Sequence, residues 1–402
     1  MNKDISSICV IGLGYIGLPT ASLLGTKGYD VTGVDVSQEI VDTINEGKIH
    51  IVEPDLDILV KSAVNSGNLR ASLAPVKADI FIIAVPTPFK ENHIPDLSYI
   101  EQASKAIAPF IEPGNLVILE STSPVGTTEE HVANILKEAG HDIDNEIYIA
   151  HCPERVLPGR ILIELVQNDR IVGGINQKST QMAAAFYKEF VSGKVLETNA
   201  RTAELSKLTE NSFRDVNIAF ANELSLICDK EGIDVWDLIS LANRHPRVNI
   251  LQPGPGVGGH CIAVDPWFII DRTPQEARLI KTAREVNDSK PNWVINKISE
   301  KAAKFKNPII ACLGLAFKAD LDDLRESPAV EIATKLHQLN IGEIIVCEPN
   351  ILKHPSFNLN SVEDAVKKAD IIVVLVDHKE FKSLSASKLS EKIVIDTRGI
   401  LK

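Results

Sequence analysis

The fold is decided near the N-terminus, where the chain reads Ile8-Cys9-Val10-Ile11-Gly12-Leu13-Gly14-Tyr15-Ile16-Gly17. Its four apolar residues are typical of a buried strand, and a Gly-x-Gly-x-x-Gly turn follows them directly. A helical stretch from Leu18 to about Lys27 comes next, and a second strand, Val31–Val34, ends in Asp35. Such a turn is a weak signal by itself. Between a strand and a helix, with an acid about 20 residues further on, it predicts a dinucleotide-binding unit.

Each part of this unit has a physical reason. Glycines let the backbone approach a pyrophosphate, and the start of the helix offers unpaired N–H groups and the positive end of a dipole. Asp35 can accept hydrogen bonds from both hydroxyls of a ribose and would repel a 2′-phosphate, so NAD is predicted rather than NADP. The alternative is a βαβ unit that binds no nucleotide.

Cys261 differs from the other cysteines in its surroundings. It ends the segment Pro253–Cys261, which is too rich in Gly and Pro to form a helix or a strand. Glycine lets such a loop approach a ligand closely, and reactive thiolates need partial exposure and polar neighbours. We therefore predict that Cys261 is a catalytic nucleophile, the alternative being a structural thiol. The remaining cysteines lie in or beside apolar runs or on a helix and are predicted to be core residues: Cys9, Cys152, Cys228, Cys312 and Cys347.

Composition indicates a large soluble enzyme. The chain has 402 residues, a net charge of −12 and no basic cluster, which argues against nucleic acid as a partner. No apolar run reaches the ~18 residues of a membrane span, and residues 1–20 lack the features of a signal peptide. Its cysteines are scattered without paired spacing, which favours reduced thiols in a cytoplasm over disulfides or a metal site.

The two ends of the chain resemble each other. Both alternate continuous apolar strands with helices, a pattern typical of parallel sheets covered on both faces. The N-terminal strands are Ile8–Ile11, Val31–Asp35, Ala78–Pro86 and Leu116–Thr122, and the C-terminal ones are Ile309–Gly314, Ile344–Glu348, Ala369–Asp377 and Lys392–Arg398. We predict an α/β chain of two doubly wound, Rossmann-like domains, each with a crevice at the carboxyl ends of its strands. Two crevices suggest two nucleotide-like ligands, of which NAD is one.

A mainly helical segment joins the two ends. Residues 201–243 contain no proline, and apolar residues recur at helical spacing. Lys207, Asn211 and Arg214 share one helix face, which is either a solvated polar stripe or the lining of a site. Because a long helix between domains usually packs against something, most often a two-fold partner, a homodimer is predicted.

Six motifs in order identify the chain as similar to the UDP-glucose/GDP-mannose dehydrogenase family. They are Gly12–Gly17, Cys152–Arg155, Ser206–Asn211, Gly256–Cys261, Phe317–Pro328 and Asp396–Gly399. The resemblance covers the whole chain, and residues 243–256 and 263–268 resemble the branch that acts on UDP-N-acetylhexosamines. Val264 stands where the UDP-glucose branch has lysine, which argues against glucose as the substrate.

The resemblance implies three domains and a reaction. The domains are a NAD-binding domain at 1–198, a helical dimerisation domain at 199–300 and a UDP-sugar-binding domain at 301–402. The reaction is the oxidation of a primary alcohol to a carboxylate by two NAD through a covalent intermediate on Cys261. Its product is a uronate for surface polysaccharide. Which N-acetylhexosamine is oxidised stays open, as does another UDP-hexose.

The resemblance also implies roles for individual residues. The catalytic set comprises Cys261, Lys207, Asn211, Asp265 and Glu154. The NAD side comprises Gly12, Gly14, Tyr15, Ile16, Gly17, Asp35, Thr87, Thr122, Thr128 and Arg325. The nucleotide sugar is bound by Arg155, Val156, Lys207, Asn211, Arg214, His245, Arg247, Gly258, Lys318 and Arg398, with Arg247 reaching across a dimer interface. Arginine and lysine suit a diphosphate because charge-assisted hydrogen bonds to its oxygens are strong.

Three other functions compete with this interpretation. A hydroxyacid dehydrogenase also joins a Rossmann domain to a helical one, but it needs a single hydride transfer and no thiol. A non-catalytic nucleotide-sugar-binding regulator would have no reason to retain Cys261, Lys207, Asn211 and Asp265 together. For a zinc alcohol dehydrogenase, the Cys and His spacings offer no set of ligands.

Overall fold

The computed structural model describes residues 5–401. Residues 1–4 and 402, which the predicted outer domains include, lie outside it. Contacts divide the chain into two compact units, Met1–Thr209 with Trp267–Arg272, and Glu210–Pro266 with Thr273–Lys402. The three predicted domain boundaries stay a prediction. No helix within residues 5–401 is both long and apolar enough to cross a bilayer.

The first unit is built on an eight-stranded sheet with the order β3-β2-β1-β4-β5-β6-β7-β8. The strands are β1 (Ser7–Ile11), β2 (Asp30–Val34), β3 (Leu69–Ser72), β4 (Ile80–Ile83), β5 (Leu116–Leu119), β6 (Tyr148–His151), β7 (Arg170–Gly174) and β8 (Val195–Asn199). The helices are α1 (Gly17–Thr26), α2 (Gln38–Asn45), α3 (Leu56–Asn65), α4 (Ser98–Ile107), α5 (Asn134–Glu138), α6 (Ile161–Gln167) and α7 (Gln177–Lys188). Short 3₁₀-helices at Glu91–His93 and Ala108–Phe110 and a π-helix at Thr127–Ala133 complete the unit.

This sheet is covered on both faces, as its continuous apolar strands predicted. Alternate residues of β1 face opposite layers, Ile8 and Val10 in one apolar cluster and Cys9 and Ile11 in the other. All neighbouring strands are parallel except β6 and β7. The register pairs the end of β6, at His151, with Gly173 near the end of β7. Because β7 starts beyond the carboxyl edge of the sheet, it runs back down, so the prediction of wholly parallel sheets was wrong for this pair.

The second unit combines helices with a four-stranded parallel sheet in the order β10-β9-β11-β12. The strands are β9 (Ile309–Leu313), β10 (Glu343–Cys347), β11 (Ile371–Val374) and β12 (Ile393–Asp396). The helices are α8 (Ala200–Glu231), α9 (Val235–Ala242), α10 (Asp265–Arg272), α11 (Arg278–Ala302), α12 (Pro328–Leu339), α13 (Val362–Lys368), α14 (Lys379–Lys382) and α15 (Ala386–Leu389); the first residues of α8 and the end of α10 belong to the first unit.

Two apolar clusters lie on opposite faces of this sheet. One packs α11 and α12 against β9 and β11, and the other packs α13 against the same strands. The predicted class, two Rossmann-like α/β parts joined by a helical segment, is confirmed.

Candidate active site

The glycines of the first turn have three distinct environments. Gly12 has a φ of +92° and donates its N–H to the Val34 carbonyl at 2.8 Å, and a Cβ there would lie 2.6 Å from the Ala84 carbonyl oxygen. A Cβ on Gly17 would lie 1.8 Å from the Gly12 carbonyl oxygen, so close packing of α1 requires glycine. A Cβ on Gly14 would meet nothing within 4 Å. Gly14 thus borders open space at the start of α1, where a dinucleotide pyrophosphate fits.

Asp35 lies at the carboxyl end of β2, and its carboxylate is held by backbone. Oδ2 accepts the Leu13 N–H at 3.1 Å, and Oδ1 accepts the Ser37 N–H at 3.0 Å. Each oxygen keeps one lone pair, which suits the two hydroxyls of a ribose. Of the other predicted NAD residues, Tyr15 is 42% exposed and Ile16 directly precedes α1.

Three threonines were predicted to bind NAD, and the structure gives them different surroundings. Thr87 and Thr122 follow β4 and β5 at the carboxyl edge of the sheet and are half-buried. The Thr87 hydroxyl has no hydrogen-bond partner among the described residues, as expected for a group that awaits a ligand. Thr128 is fully buried and donates its hydroxyl and N–H to Oε1 of Glu204, at 2.7 and 2.8 Å. These hydrogen bonds anchor the π-helix to α8.

Glu154 lies in the loop after β6 and belongs to a buried polar cluster. Its Oε2 accepts a hydrogen bond from Nη1 of the buried Arg170 at 2.7 Å, and its Oε1 accepts the Arg155 N–H at 2.7 Å. Glu120 lies in the same cluster and accepts the Tyr187 hydroxyl at 2.6 Å. Burial raises the pKa of Glu120 to about 7, although Arg170 acts in the opposite direction. The Arg170 guanidinium therefore binds one buried carboxylate, Glu154, and acts electrostatically on a second, Glu120, and only Glu154 was found from sequence.

The two residues after Glu154 were predicted to bind the nucleotide sugar. The Arg155 guanidinium donates from Nη1 to the Asp169 carbonyl at 3.0 Å. Val156 is half-buried and packs against the apolar core of the first unit. The loop that carries both residues is thus tied to its own unit.

In the second unit, Cys261, Asn211 and Asp265 come together. The Asn211 side chain on α8 donates from Nδ2 to Oδ2 of Asp265 at 2.6 Å, and both residues are buried. The Asp265 N–H donates to the Cys261 carbonyl at 2.8 Å, which fixes the thiol-bearing residue at the start of α10. Lys207 and Arg214 lie on the same helix α8, Lys207 half-buried and Arg214 exposed. The structure therefore joins three of the five predicted catalytic residues within one unit.

The Gly-rich loop before Cys261 packs against the loop after β9. A Cβ on Gly258 would lie 2.4 Å from the Glu326 carbonyl oxygen, and one on Gly259, whose φ is +83°, 2.8 Å from the Phe317 ring. The Gly259 N–H also donates to the Arg325 carbonyl at 3.1 Å. The loop after β9 carries Lys318, which is exposed. Gly258 is therefore required by packing of backbone on backbone.

The remaining predicted sugar-binding residues lie on other loops of the second unit. Arg398 follows β12 and donates from Nε and Nη2 to Oδ1 of Asp377, at 3.0 and 2.7 Å. Its Nη1 lies 2.5 Å from the position that a Cβ on Gly254 would take, so it borders the loop of Cys261. His245 and Arg247 are exposed, and the Arg247 N–H donates to Nδ1 of His245 at 3.3 Å.

Comparison with known proteins identifies the family. Residues 6–191 match the NAD binding domain of the UDP-glucose/GDP-mannose dehydrogenase family, residues 201–289 match its central domain and residues 311–402 match its UDP binding domain. The chain belongs to this family. The resemblance predicted from the motifs is confirmed, as are the dehydrogenase class and NAD as cofactor.

Individual relatives cover nearly all of this dehydrogenase. It is 60% identical to the UDP-N-acetyl-D-mannosamine dehydrogenase of Campylobacter jejuni, over 96% of this chain and 99% of the relative. It is 57% identical to an NDP-N-acetyl-D-galactosaminuronic acid dehydrogenase of Ralstonia nicotianae, over 99% of this chain and 96% of the relative. A solved UDP-N-acetyl-mannosamine dehydrogenase structure from S. aureus aligns with a TM-score of 0.91 at 44% identity, over 99% of this chain and 96% of that one.

The other five cysteines of this dehydrogenase are buried, as predicted, whereas Cys261 is partly exposed. Burial raises the pKa of Cys9 to about 11 and that of Cys152, Cys312 and Cys347 to about 12, and it also raises the pKa of Cys228. Because the thiolate is the reactive form, these five thiols are poor nucleophiles near neutral pH. A thiolate-specific reagent should therefore discriminate Cys261 from the rest.

Proposed function

We propose that this dehydrogenase oxidises UDP-N-acetyl-D-mannosamine to UDP-N-acetyl-D-mannosaminuronate with two NAD per sugar. The observation that carries the proposal is the group formed by Cys261, Asn211 and Asp265. Cys261 is partly exposed, its carbonyl accepts the Asp265 N–H, and Asp265 forms a buried amide–carboxylate pair with Asn211, in a chain that also has a NAD-binding turn. The choice of sugar is supported by the relatives that carry the name UDP-N-acetyl-D-mannosamine dehydrogenase.

The proposed chemistry proceeds in three stages. NAD, when bound, accepts one hydride in each of two oxidations. The hydroxyl at carbon 6 first loses a proton and a hydride and becomes an aldehyde. The Cys261 thiolate then adds to the aldehyde carbon while the aldehyde oxygen takes up a proton, and loss of that proton and of a second hydride from carbon 6 of this thiohemiacetal leaves a thioester. Water breaks the carbon–sulfur bond, releases the carboxylate and restores the thiol.

The proposal gives each catalytic residue a task. Asn211 donates to the oxyanion that forms at carbon 6, a contribution of about 3 kcal/mol for a well-placed donor. Asp265 orients the Asn211 amide through their 2.6 Å hydrogen bond. Lys207 exchanges the hydroxyl proton or stabilises the oxyanion. Glu154, whose carboxylate Arg170 holds at 2.7 Å, acts on the hydrolytic water.

The remaining predicted residues are proposed to bind ligands. Exposed Arg247, Lys318 and Arg214 are free to meet a diphosphate or a sugar hydroxyl. Arg398 is already turned by Asp377 toward the Gly254 backbone, which leaves part of its guanidinium for the substrate. Asp35 and Gly14 are proposed to face the ribose and the pyrophosphate of NAD.

We place a homodimer interface on the helical part of the second unit. A groove of about 450 Å³ is lined by apolar side chains together with polar ones such as Asn217 and Glu223, and Phe213, Phe220 and Leu279 are 67%, 50% and 70% exposed. Apolar surface of this kind marks interaction sites. Arg247 also lines the groove, so a partner bound there would meet this predicted substrate residue. Sedimentation of Phe213→Asp at micromolar concentration tests the interface, with loss of the dimer as the expected result.

The second candidate substrate is another UDP-N-acetylhexosamine, which the relative named for N-acetyl-D-galactosaminuronic acid favours. The mannosamine and glucosamine forms differ in configuration at carbon 2, and the galactosamine and glucosamine forms at carbon 4. In either case, the uronate would supply surface polysaccharide assembly and the reaction would run in the cytoplasm.

The test is NADH formation on a panel of UDP-N-acetyl-mannosamine, -glucosamine and -galactosamine, with UDP-glucose as the control. We expect the highest kcat/KM for mannosamine and two NADH per sugar without free aldehyde. One NADH per sugar with accumulating aldehyde would exclude the covalent scheme. Cys261→Ser should stall after partial turnover, because an oxygen ester hydrolyses more slowly than a thioester. Native uronate production by that variant would place the nucleophile elsewhere.

A further inference from the structure

The segment before Cys261 has no secondary structure of its own. From Asn249 to Gly258 it is neither helix nor strand, and it includes Gly254, Gly256 and Gly258. Glycine-rich backbone loses much conformational entropy when it is fixed, so this segment needs anchors elsewhere. A nucleophilic thiol also has to be positioned accurately relative to the substrate, because a displacement of about 1 Å can cost ~10²-fold in rate.

Asparagine side chains provide these anchors. Oδ1 of Asn243 accepts the Ile250 N–H at 2.7 Å, and its Nδ2 donates to the carbonyl of the same residue at 3.0 Å. Oδ1 of Asn217 accepts the Leu251 N–H at 3.0 Å, and Oδ1 of Asn222 accepts the Gly254 N–H at 2.9 Å. Three side-chain amides thus supply hydrogen bonds to the backbone that a neighbouring strand would otherwise have supplied.

The anchor at Asn222 is backed by a buried chain of hydrogen bonds. Because the Gly254 N–H can only donate, Asn222 must present its oxygen to it and its Nδ2 to Oδ1 of Asn287, at 2.9 Å. Nδ2 of Asn287 then donates to Oδ1 of Asp215 at 2.8 Å, and Arg284 donates to the same oxygen at 2.6 Å. These four side chains are at most 2% exposed. All donors in this series of hydrogen bonds point from Gly254 toward Asp215, and the buried ion pair of Asp215 with Arg284 fixes the series at one end.

Helix α8 holds the Cys261 loop on both sides. Asn211, Asp215 and Asn222 fall on one face of α8, since they are spaced by four and seven residues. Asn222 fixes Gly254 ahead of Cys261, and Asn211 fixes Asp265 after it. These two contacts are about three helical turns apart, or ~16 Å along a rigid helix. The loop therefore spans a fixed distance.

We propose that Asn222, with Asn217 and Asn243, positions the Cys261 thiol for attack on the aldehyde. These asparagines are positioning residues, which act on the substrate only through the loop. The inference rests on the proposed role of Cys261 as nucleophile. It predicts that loosening the loop lowers kcat more than it raises KM for the UDP-sugar, because Arg214 and Lys318, which are proposed to bind the sugar, lie outside residues 243–258.

The experiment combines kinetics with alkylation of Cys261. In the full-length enzyme, Asn222→Ala, Asn217→Ala and Asn243→Ala are each expected to lower kcat by ~10- to 100-fold and to change KM by about threefold or less. Iodoacetamide labelling of Cys261, followed by peptide mass spectrometry across pH, should become several-fold faster because the loop opens. Asn243→Asp keeps the acceptor for the Ile250 N–H and should recover most of kcat. This recovery separates the hydrogen bond from general destabilisation.

Asn45 supplies a matched control. It holds Ala71 with the same pair of bonds, Oδ1 to the N–H at 2.8 Å and Nδ2 to the carbonyl at 3.0 Å, in the first unit. Asn45→Ala should leave both kcat and the labelling rate within about twofold of native. Equal losses in Asn45→Ala and the loop variants, or native kcat and labelling in all of them, would overturn the proposal. If Asn222→Ala does not fold, the other two variants decide it. Native turnover by Cys261→Ser would instead reject the proposed nucleophile.

Discussion

The turns that follow β1 and β9, the first strands of the two sheets, share a glycine and its backbone hydrogen bond, but their N–H groups have different partners. Gly12 and Gly314 each follow the first strand, with φ of +92° and +97°, and each donates its N–H at 2.8 Å to the last residue of the neighbouring strand. At the first turn, Asp35 accepts one N–H of the turn, that of Leu13, and its other oxygen accepts the Ser37 N–H. At the second turn, Glu348 stands at the position that corresponds to Asp35, and its side chain is one methylene longer. Its Oε2 accepts both the Leu315 and Ala316 N–H groups, at 2.7 and 2.9 Å.

The second turn therefore already holds an anion of its own. Glu348 is 3% exposed, and its Oε2 lies 3.0 Å from Nε2 of the fully buried His378. Because the Asp320 N–H donates to Nδ1 of that ring, Nε2 carries the proton that points at Glu348. A pyrophosphate cannot occupy N–H groups that a buried carboxylate has taken. The first turn is left open for a ligand, and the second is closed by the protein.

The helices that follow the turns differ in the same direction. Helix α1 starts at Gly17, within the turn itself, so its free N–H groups face the dinucleotide position. Helix α12 starts only at Pro328, after a loop that carries Lys318 and Arg325. The second sheet thus offers cationic side chains where the first offers a helix dipole. One topology therefore carries two different sets of polar groups beyond its first strand, and the turn residues decide which set is present.

The largest expected effect comes from removing Glu348. Glu348→Ala leaves two buried N–H groups and His378 without their acceptor, and we expect it to lower the free energy of unfolding by about 3–5 kcal/mol. Asp35→Ala removes the acceptor of two N–H groups, those of Leu13 and Ser37, at a half-buried position where water can replace it, and should cost about 1–2 kcal/mol. Urea denaturation followed by tryptophan fluorescence measures both changes. Equal losses in the two variants would show that the turns are built alike, contrary to the comparison.

The sequence already contained part of this comparison. The strand ends at Asp35 and at Glu348 and the two glycine turns follow from apolar runs that any parallel sheet needs, so the fold class could be predicted. What could not be predicted is the reach of a side chain. Whether Glu348 lies over a ligand site or bonds to Leu315 and Ala316 depends on the backbone path of the turn.

The candidate site divides in the same way. Cys261 was predictable because an exposed thiol in a glycine loop is chemically unusual. Arg170 and Tyr187 could not be found, because they approach Glu154 and Glu120 only when β7 and α7 pack on the sheet. Asn222 was missed because an asparagine on a helix gives no sign in sequence of which backbone it will hold.

We expect acid to remove the stabilising contribution of His151, in the first sheet, at a higher pH than that of Glu348, beside the second sheet. Burial lowers the pKa of His151, on β6, from 6.5 to about 3. The unfolded chain binds this proton near pH 6.5 and the folded chain only near pH 3, so stability falls as the pH drops across that window. At Glu348, burial alone would raise the pKa, but hydrogen bonds from His378 and the turn lower it to about 2. Its contribution is present above pH 4.5 and is lost only below that value.

Calorimetry between pH 7 and 4.5 tests this difference. Full titration of either group is worth on the order of 3 kcal/mol, and of these two groups only His151 titrates between pH 7 and 4.5. His151→Leu should flatten the fall in unfolding temperature between pH 6.5 and 4.5, and Glu348→Gln should leave its slope there unchanged. A slope that persists in His151→Leu would show that other groups control acid stability.

Cofactor choice should depend on the open turn alone. A 2′-phosphate would face the Asp35 carboxylate, and like charges at an effective dielectric near 20 repel by several kcal/mol, so NAD should be preferred over NADP by ~10²-fold or more. Asp35→Ala should erode this preference, mainly by raising kcat/KM with NADP. Asp30→Ala is the control, since Asp30 lies at the other end of β2 and pairs with Arg70 at the surface. Comparable use of NADP by the native enzyme would move Asp35 out of the site.

The smallest expected effect comes from adding a single methyl group at Gly14, a position where the two turns differ. Gly14 corresponds to Ala316 at the closed turn, where the residue is buried and its N–H already binds Glu348. A methyl on Gly14 meets nothing within 4 Å in the protein, so Gly14→Ala should leave the unfolding temperature unchanged. It should nevertheless weaken NAD binding by ~10-fold, about 1.4 kcal/mol, because the pyrophosphate approaches that backbone closely. Ala316→Gly, measured by the same NAD titration, should change nothing. If Gly14→Ala bound NAD as well as the native enzyme, the open space beside Gly14 would not be the place where the cofactor lies.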